Sequence, residues 1–459
     1  MIRKFAITDE FVEEEISQRS GISGVVLLVG DFQKADANTP YLITNPRNIP
    51  DTVGNDPAYT GSKCLTQLFK KDEEQNNHGA SAVIPLQMGT RTRASCTVDV
   101  DGGELEAETL AGGVWGNKLR LSLTNGLDDT FIFTVSDGTR NIIEVPNKSL
   151  DSIIKIVNGG KKHIMLTLTE DTNKTFTSVT NQAFTGGSET KGSFTIQNLY
   201  TVLNYLNKDK YNILLFSEKL GSNLFDVIGE YLDERYAKGK QSFSILPLTT
   251  TDNKETKIDT ANSARFERVV YINQTINDLD EAETCARIAG AIAGLPVNES
   301  LSEYVLNDIT SIHPVLSEDD IEDLTAAGII CLELKDTFSQ KYQVYSSVTS
   351  CIDIGKDGQL VPQGELHGLR SSDYCFDKLN DVEDNYLAKT KVKRSKEILK
   401  SALDKAAGDI VKDEIVESIE LSLEIDPKNP KNLIKDREIK VFNILEKIHN
   451  RDKIVWEEV

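Results

Sequence analysis

The chain has 459 residues, 39% of them hydrophobic and 27% charged, and a formal net charge of −21. At about 100–200 residues per domain, that length predicts roughly three domains, with enough apolar material that no disulfide or metal staple is required. The acidity excludes a basic footprint over the chain as a whole, and with it non-specific nucleic-acid binding or adsorption to an anionic membrane.

Residues 1–19 read as an arm. They are rich in acids (Asp9, Glu10, Glu13, Glu14, Glu15), with Phe5, Ile7, Phe11, Val12 and Ile16 interspersed, and such a segment needs a partner surface to bury its apolar side chains. Met1-Ile-Arg-Lys-Phe leads into these acids without an apolar signal core, and no run of about 18 apolar residues follows anywhere, so synthesis in a cytoplasm is expected. The six cysteines, at 64, 96, 285, 331, 351 and 375, form no C-x-x-C pair and are expected to be reduced and mostly buried.

Val25-Val-Leu-Leu-Val29, closed by Gly30 and Asp31, is a continuous apolar run of the kind that forms a strand buried on both faces. Gly61–Lys70 reads as a helix and Ala82–Leu86 as a second buried strand. Between about 91 and 188 the texture changes to Thr, Asn, Gly and Asp with alternating strands, at 119–124, 131–135 and 163–169. Asn125-Gly126, Asp137-Gly138 and Asn158-Gly159-Gly160 read as the turns between them, a pattern that predicts a β-sandwich or small barrel.

Past Gly186-Gly187 the α/β texture returns. Helices are predicted near 196–206 and 224–236, and strands at 211–216, 243–246, 268–272 and 329–334. The best-defined helix spans about 281–293, with Asp280 and Glu283 at capping-box positions, Gly294 and Pro296 as stops, and a face of small residues (Ala282, Cys285, Ala286, Ala289, Gly290, Ala293) suited to close packing. Because α/β elements flank the β-rich region on both sides, that region reads as an insertion within one open sheet. The last part of the chain reads as another unit: a helical region at roughly 373–410, an eight-residue alternation at 418–425, and strands at 438–443 and 453–458. The terminal strand, with Ile454, Val455 and Trp456, needs an edge to pair with.

Motifs for chemistry are missing. The five histidines are scattered, and there is no H-E-x-x-H, zinc ribbon, G-x-x-x-x-G-K-[ST] loop, strand-anchored G-x-G-x-x-G or G-x-S-x-G elbow. His78-Gly79 is half of a subtilase-like motif without a nucleophile segment, Gly186–Gly192 reads as a flexible linker, and Trp115 as a sandwich-core residue. No catalytic residue, cofactor or metal is predicted.

Five segments, in order, resemble contractile tail sheath proteins. They are Ile22–Gly30 with Asn38–Thr44; Gly113-Val-Trp-Gly-Asn-Lys-Leu119; Phe184-Thr-Gly-Gly187; Ala286-Arg-Ile-Ala-Gly-Ala-Ile-Ala-Gly-Leu-Pro-Val-Asn-Glu-Ser-Leu301, the most specific; and Tyr345-Ser-Ser-Val-Thr-Ser350. In the last, Val348 stands where many members of the family have Arg.

The resemblance implies an open α/β core of subtilisin-like topology without proteolytic residues, an inserted β-sandwich domain, and an α+β C-terminal domain with extended terminal arms. On this chain the expected boundaries are 1–19 (arm), 20–90 and 189–350 (core), 91–188 (sandwich) and 351–459 (C-terminal domain). It also implies subunits in six-fold rings stacked helically around a tail tube, contracting to drive that tube through a cell envelope, in a phage tail, a tailocin or an extracellular injection system. The implied partners are other copies of the chain, the tube protein, and baseplate and tail terminator proteins, with assembly in the host cytoplasm, no direct nucleic-acid contact and no membrane insertion. Arms carrying Phe5, Ile7, Phe11, Val12, Ile454, Val455 and Trp456 would add strands to neighbouring subunits.

The densest basic run, with Lys389, Lys391, Lys393, Arg394, Lys396 and Lys400, is read either as a tube-facing stripe or as a solvated helix face. Two readings from other classes stay open at this point: a β-sandwich adhesin and a hydrolase on the α/β block.

Overall fold

The computed structural model describes residues 24–100, 103–127, 130–147, 149–160, 163–168, 178–205, 210–336, 338, 340–352, 364–386, 392–429 and 432–442. Val25–Gly30, continuous in apolar residues, lies inside a six-stranded sheet whose neighbouring strands all run parallel. Its order is Ile329–Ile330, Val269–Ile272, Phe243–Pro247, Ile213–Phe216, Val25–Gly30, Ala82–Gln87. Alternate side chains of one strand enter different cores. Val26 and Leu28 pack with helices Thr60–Leu68 and Glu281–Gly294. Leu27 and Val29 pack with Ile196–Tyr205, Phe225–Ala237, Lys254–Ser263 and Glu318–Ala326 on the other face. A strand apolar at every position is what this two-sided burial requires.

The capping box at Glu281–Gly294 forms as its residues predict: the Asp280 carboxylate accepts from Glu283 N at 2.8 Å, and Asp280 N donates to Glu283 Oε2 at 3.1 Å. The strand predicted at 329–334 is two strands. Ile329–Ile330 closes the parallel sheet, whereas Leu332–Asp336 joins a three-stranded antiparallel sheet with Lys341–Val344 and Val305–Leu306. An apolar run carries no mark of where its pairing partner changes.

The β-rich region holds an antiparallel sheet of Ser95–Val100, Gly103–Thr109 and Ile164–Leu168. A second has the order Val179–Ala183, Arg120–Asn125, Phe131–Ser136, Asn141–Asn147. Leu105, Ala107 and Leu166 of the first and Leu121, Leu123 and Phe133 of the second share one core. Helix Leu150–Gly160 completes it with Leu150, Ile153 and Val157, so Asn158-Gly159-Gly160 ends a helix rather than forming a turn. The Asn158 side chain grips the adjacent strand, donating to Leu166 O at 2.9 Å and accepting from Leu166 N at 2.8 Å. Entry and exit of this region, Gly89–Thr92 and Ser188–Lys191, pair with each other as an antiparallel ribbon.

The helical region near the C-terminus is two helices, Leu366–Asp384 and Val392–Lys412. They are followed by a hairpin, Ser418–Ile425 with Leu433–Lys440, in unbroken register from Ser418↔Lys440 to Ile425↔Leu433. The second strand thus begins at Leu433 rather than 438; its alternation of Leu, Lys, Arg and Ile is masked in sequence because cationic side chains occupy inward positions.

Candidate functional site: a filled crevice, a docked helix and an open-edged hairpin

In open α/β sheets, ligands bind beyond the carboxyl ends of the strands where the strand order reverses. Here that reversal lies between Val25–Gly30 and Ile213–Phe216. The crevice is filled by the chain itself, through the ribbon Gly89–Thr92/Ser188–Lys191. Arg91, its side chain 1% exposed, forms ion pairs with Asp31 and Glu189 and donates to Phe32 O at 2.9 Å. Tyr59 OH donates to Glu189 at 3.0 Å, and burial, then Glu189, pushes its phenol up to about 12. Gln87 accepts from Phe32 N at 2.8 Å and donates to Asp31 at 3.0 Å; Thr60 and Ser217 hydroxyls meet at 2.8 Å, and Lys191 pairs with Glu218 at 2.6 Å.

No activated thiol lies in the described cores. Burial raises Cys96 to about 11, Cys331 to about 12 and Cys375 to about 12, which leaves negligible thiolate near neutral pH. Among the described residues, no group of three or more His, Cys, Asp or Glu side chains is arranged to hold a metal ion.

Two of the sequence motifs meet beside this neck. Asn117 donates to Gly187 O at 2.8 Å and accepts from Gly187 N at 2.9 Å, joining the turn before strand Arg120–Asn125 to the region's exit. Trp115 is 6% exposed, donates its indole N–H to Gly112 O at 3.1 Å, and lies under Lys34 Nζ, 4.9 Å from the ring centre. A cleft of about 510 Å³ runs alongside, between the segment 33–55 and the β-rich region.

The third motif docks the C-terminal unit. Within Glu281–Gly294, buried Arg287 pairs with buried Asp72, whose carboxylate also accepts from Tyr304 OH at 2.9 Å and Asn307 N at 3.0 Å. The following turn, Leu295-Pro296-Val297, points its carbonyls at helix Leu366–Asp384. Arg370 donates to Leu295 O at 2.7 Å and Glu299 O at 3.1 Å, and Ser371 to Val297 O at 3.0 Å. One turn on, Asp373 accepts both Nη groups of Arg268. Val348 is 1% exposed, so this side chain is core. Neighbouring Ser350 N donates to Val269 O at 2.9 Å, and Thr349 N to Gly364 O at 3.0 Å.

Beyond the docked helix stands the hairpin. Leu423, with Ile419, Leu421 and Leu433, packs on Leu379, Leu399, Leu403 and Ala407. Arg437 donates to Asn380 and to Glu383, each at 2.7 Å. Among the described residues each hairpin strand pairs only with the other, so both outer edges present open backbone groups. Ile425 and Ile434 are exposed on this element, and Phe442 just past its end.

Of the residues singled out by sequence, Phe5, Ile7, Phe11, Val12, Lys389, Lys391, Ile454, Val455 and Trp456 lie outside the described residues. Lys393 and Arg394 fall in the first turn of Val392–Lys412, Lys396 is half-buried one turn on, and Lys400 pairs with Asp404. Sequence reasoning missed Arg91, Arg268, Asp373 and Arg370. Each works through a partner far away in the chain, and no local pattern marks it.

No protein-family model matches the chain, and no curated protein matches it. Solved structures do. A sheath tail protein from Listeria innocua superposes with a TM-score of 0.71 at 14% identity, over 94% of this chain and 95% of that one. A sheath tail protein from Desulfitobacterium hafniense gives 0.64 at 15% identity, over 92% and 98%. The helical sheath of the anti-feeding prophage in its contracted state gives 0.54 at 11% identity, over 94% and 93%. The mixed α/β fold of this chain, with its several sheets, is therefore the fold of sheath tail proteins along nearly its whole length.

Proposed function

We propose that this chain is the structural subunit of a contractile tail sheath, polymerising as stacked six-membered rings around a tail tube and shortening to drive the tube through a cell envelope. The observation that carries the reading is the hairpin Ser418–Ile425/Leu433–Lys440, which among the described residues is open on both edges. It is seated on a core whose fold is that of sheath tail proteins. Open edges template strand addition, and head-to-tail contacts that do not close on themselves build helical assemblies. The strands added would be the arms of neighbouring copies: 1–19 with Phe5, Ile7, Phe11 and Val12, and the C-terminal end with Ile454, Val455 and Trp456.

In this reading the six-stranded sheet is the subtilisin-like core (20–90 and 189–350), the β-rich region (91–188) is an inserted sandwich domain, and 351–459 is the arm-bearing unit. The chain is not an enzyme. The support for that is the switch-point crevice, which Arg91, Asp31, Glu189 and Tyr59 occupy. Contraction needs no nucleotide: an extended lattice converts to a shorter, wider one with better contacts between subunits, while the exchanged strands keep neighbours joined. Lys389, Lys391, Lys393, Arg394 and Lys396 face an acidic tube in the extended state, and the remaining partners are baseplate and terminator proteins of a phage-like particle.

Negative-stain electron microscopy of the chain co-expressed with its tube protein, with residues 1–19 present or deleted, tests the assembly. Striated hollow cylinders that vanish on deletion are expected; compact closed oligomers from both would overturn the reading. Charge reversal at Lys391, Lys393 and Arg394 tests the tube contact, and unchanged tube-templated assembly would remove it.

A further inference from the structure

Helix Leu366–Asp384 is the joint between the α/β block and the hairpin, and it carries Asp373, Asp377 and Asp381 at four-residue spacing, one above another on a single face. The outer two are paired across the joint. Asp373 holds Arg268 with two hydrogen bonds of 2.8 Å, and Asp381 pairs with Lys210. Among the described residues no hydrogen bond or ion pair reaches the middle carboxyl, Asp377, which is partly buried between them. The block side adds further contacts close by: Asn380 donates to Gly239 O at 3.3 Å, and the Tyr236 and Phe376 rings meet edge to face at 6.1 Å.

The charged groups around Asp377 are few. On its own helix they are Asp373 and Asp381, both of which disfavour its ionisation; from the α/β block they are Lys210, already engaged by Asp381, and Lys240. The hairpin's cations, Arg437 and Lys435, go to Glu383 instead. A carboxylate at this point therefore has two like charges one helical turn away and reduced access to water; Lys210 and Lys240 oppose these only at longer range, and among the described residues no cation pairs with it directly.

We propose that this joint is a proton-sensitive clamp: with Asp377 protonated, helix Leu366–Asp384 seats on the α/β block, and ionisation of Asp377 loosens the C-terminal unit through repulsion from Asp373 and Asp381. Burial first, and then Asp373, push the Asp377 carboxyl up to about 7, against an ordinary value of about 3.9 when the joint is open to water. Between those values the seated joint holds a proton that the open one has lost. Opening then releases a proton, and the opening constant rises with pH by up to about tenfold per pH unit, levelling off above 7. The inference concerns the single chain and does not rest on the sheath reading.

Hydrogen exchange read by mass spectrometry over residues 366–384 and 418–440, from pH 5.5 to 8.5 and corrected for intrinsic exchange, tests it in dilute full-length chain. Wild type is compared with Asp377→Asn and Asp381→Asn, the ratio to wild type cancelling other titrating groups. The opening constant of wild type over that of D377N is expected to rise up to about tenfold per pH unit below 7 and then to level off. In D381N, with one like charge removed, the levelling point moves to lower pH. A ratio that does not vary with pH overturns the clamp, since a merely structural asparagine effect has no pH dependence. Should D377N not fold, an unmoved levelling point in D381N overturns it equally.

Discussion

Arg268 and Asp373, 105 residues apart in sequence, meet as a two-pronged pair, Nη1 and Nη2 each 2.8 Å from a carboxylate oxygen. Arg268 immediately precedes strand Val269–Ile272, and Asp373 lies in helix Leu366–Asp384, so the pair bolts the C-terminal unit to the sheet. The guanidinium also stacks 4.2 Å from the centre of the Tyr236 ring.

Both partners are buried, and removing one strands the other's charge. Arg268→Met or Asp373→Asn is expected to destabilise the fold by about 3–5 kcal/mol, whereas R268M/D373L recovers most of that, because buried ion pairs gain little over apolar replacements. Urea unfolding of the three variants checks this; a double variant as unstable as the sum of the singles would contradict it.

The neck offers a second test. Asn117 satisfies both polar ends of its amide on Gly187, so Asn117→Ala leaves Gly187 N and O without partners. A loss of about 1–3 kcal/mol is expected. Limited proteolysis within 91–188 is expected to speed up while the α/β block stays resistant.

Close helix packing explains Gly290. A Cβ there would stand 2.6 Å from Leu68 O, a backbone atom of the facing helix that cannot move aside alone. Gly290→Ala is therefore expected to cost about 1–3 kcal/mol despite alanine's better helix propensity. A thermal midpoint equal to that of the parent chain would show that the two helices separate freely.

His367 gives a pH dependence opposite to that of Asp377. Burial first, then Arg370, lowers its imidazole to about 4, against about 6.5 when unfolded. A depressed histidine keeps its stabilisation above 6.5, and stability is lost as pH falls toward 4, because the unfolded chain takes the proton first; the full swing is about 3 kcal/mol. His367→Gln is expected to flatten unfolding free energy between pH 6.5 and 4. An unchanged acid limb would show that His367 is solvated.

Much of the architecture is legible locally. Val25–Val29 announces a two-sided strand because every position is apolar, and Asp280 with Glu283 announces a helix start because the capping hydrogen bonds span three residues. The clean alternation at 418–425 announces a half-buried strand for the same reason: periodicity is a property of neighbours in sequence. The motif around Ala286–Leu301 is readable as residues, and its smallness predicts close approach.

What only the tertiary structure decided is which distant segments meet. Ile329–Ile330 and Leu332–Asp336 look like one strand, and their division between two sheets follows from Tyr271 and Val344, partners supplied by other parts of the chain. Arg91 at the filled crevice, Asn117 on Gly187, and the Asp373–Asp377–Asp381 ladder facing Arg268, Lys240 and Lys210 have no local signature. An isolated charged residue in an acidic chain reads as solvated surface. Its burial, its partner and its shifted proton affinity arise only when folding excludes water from both sides of the contact, and those energies depend on distances that sequence separation does not encode.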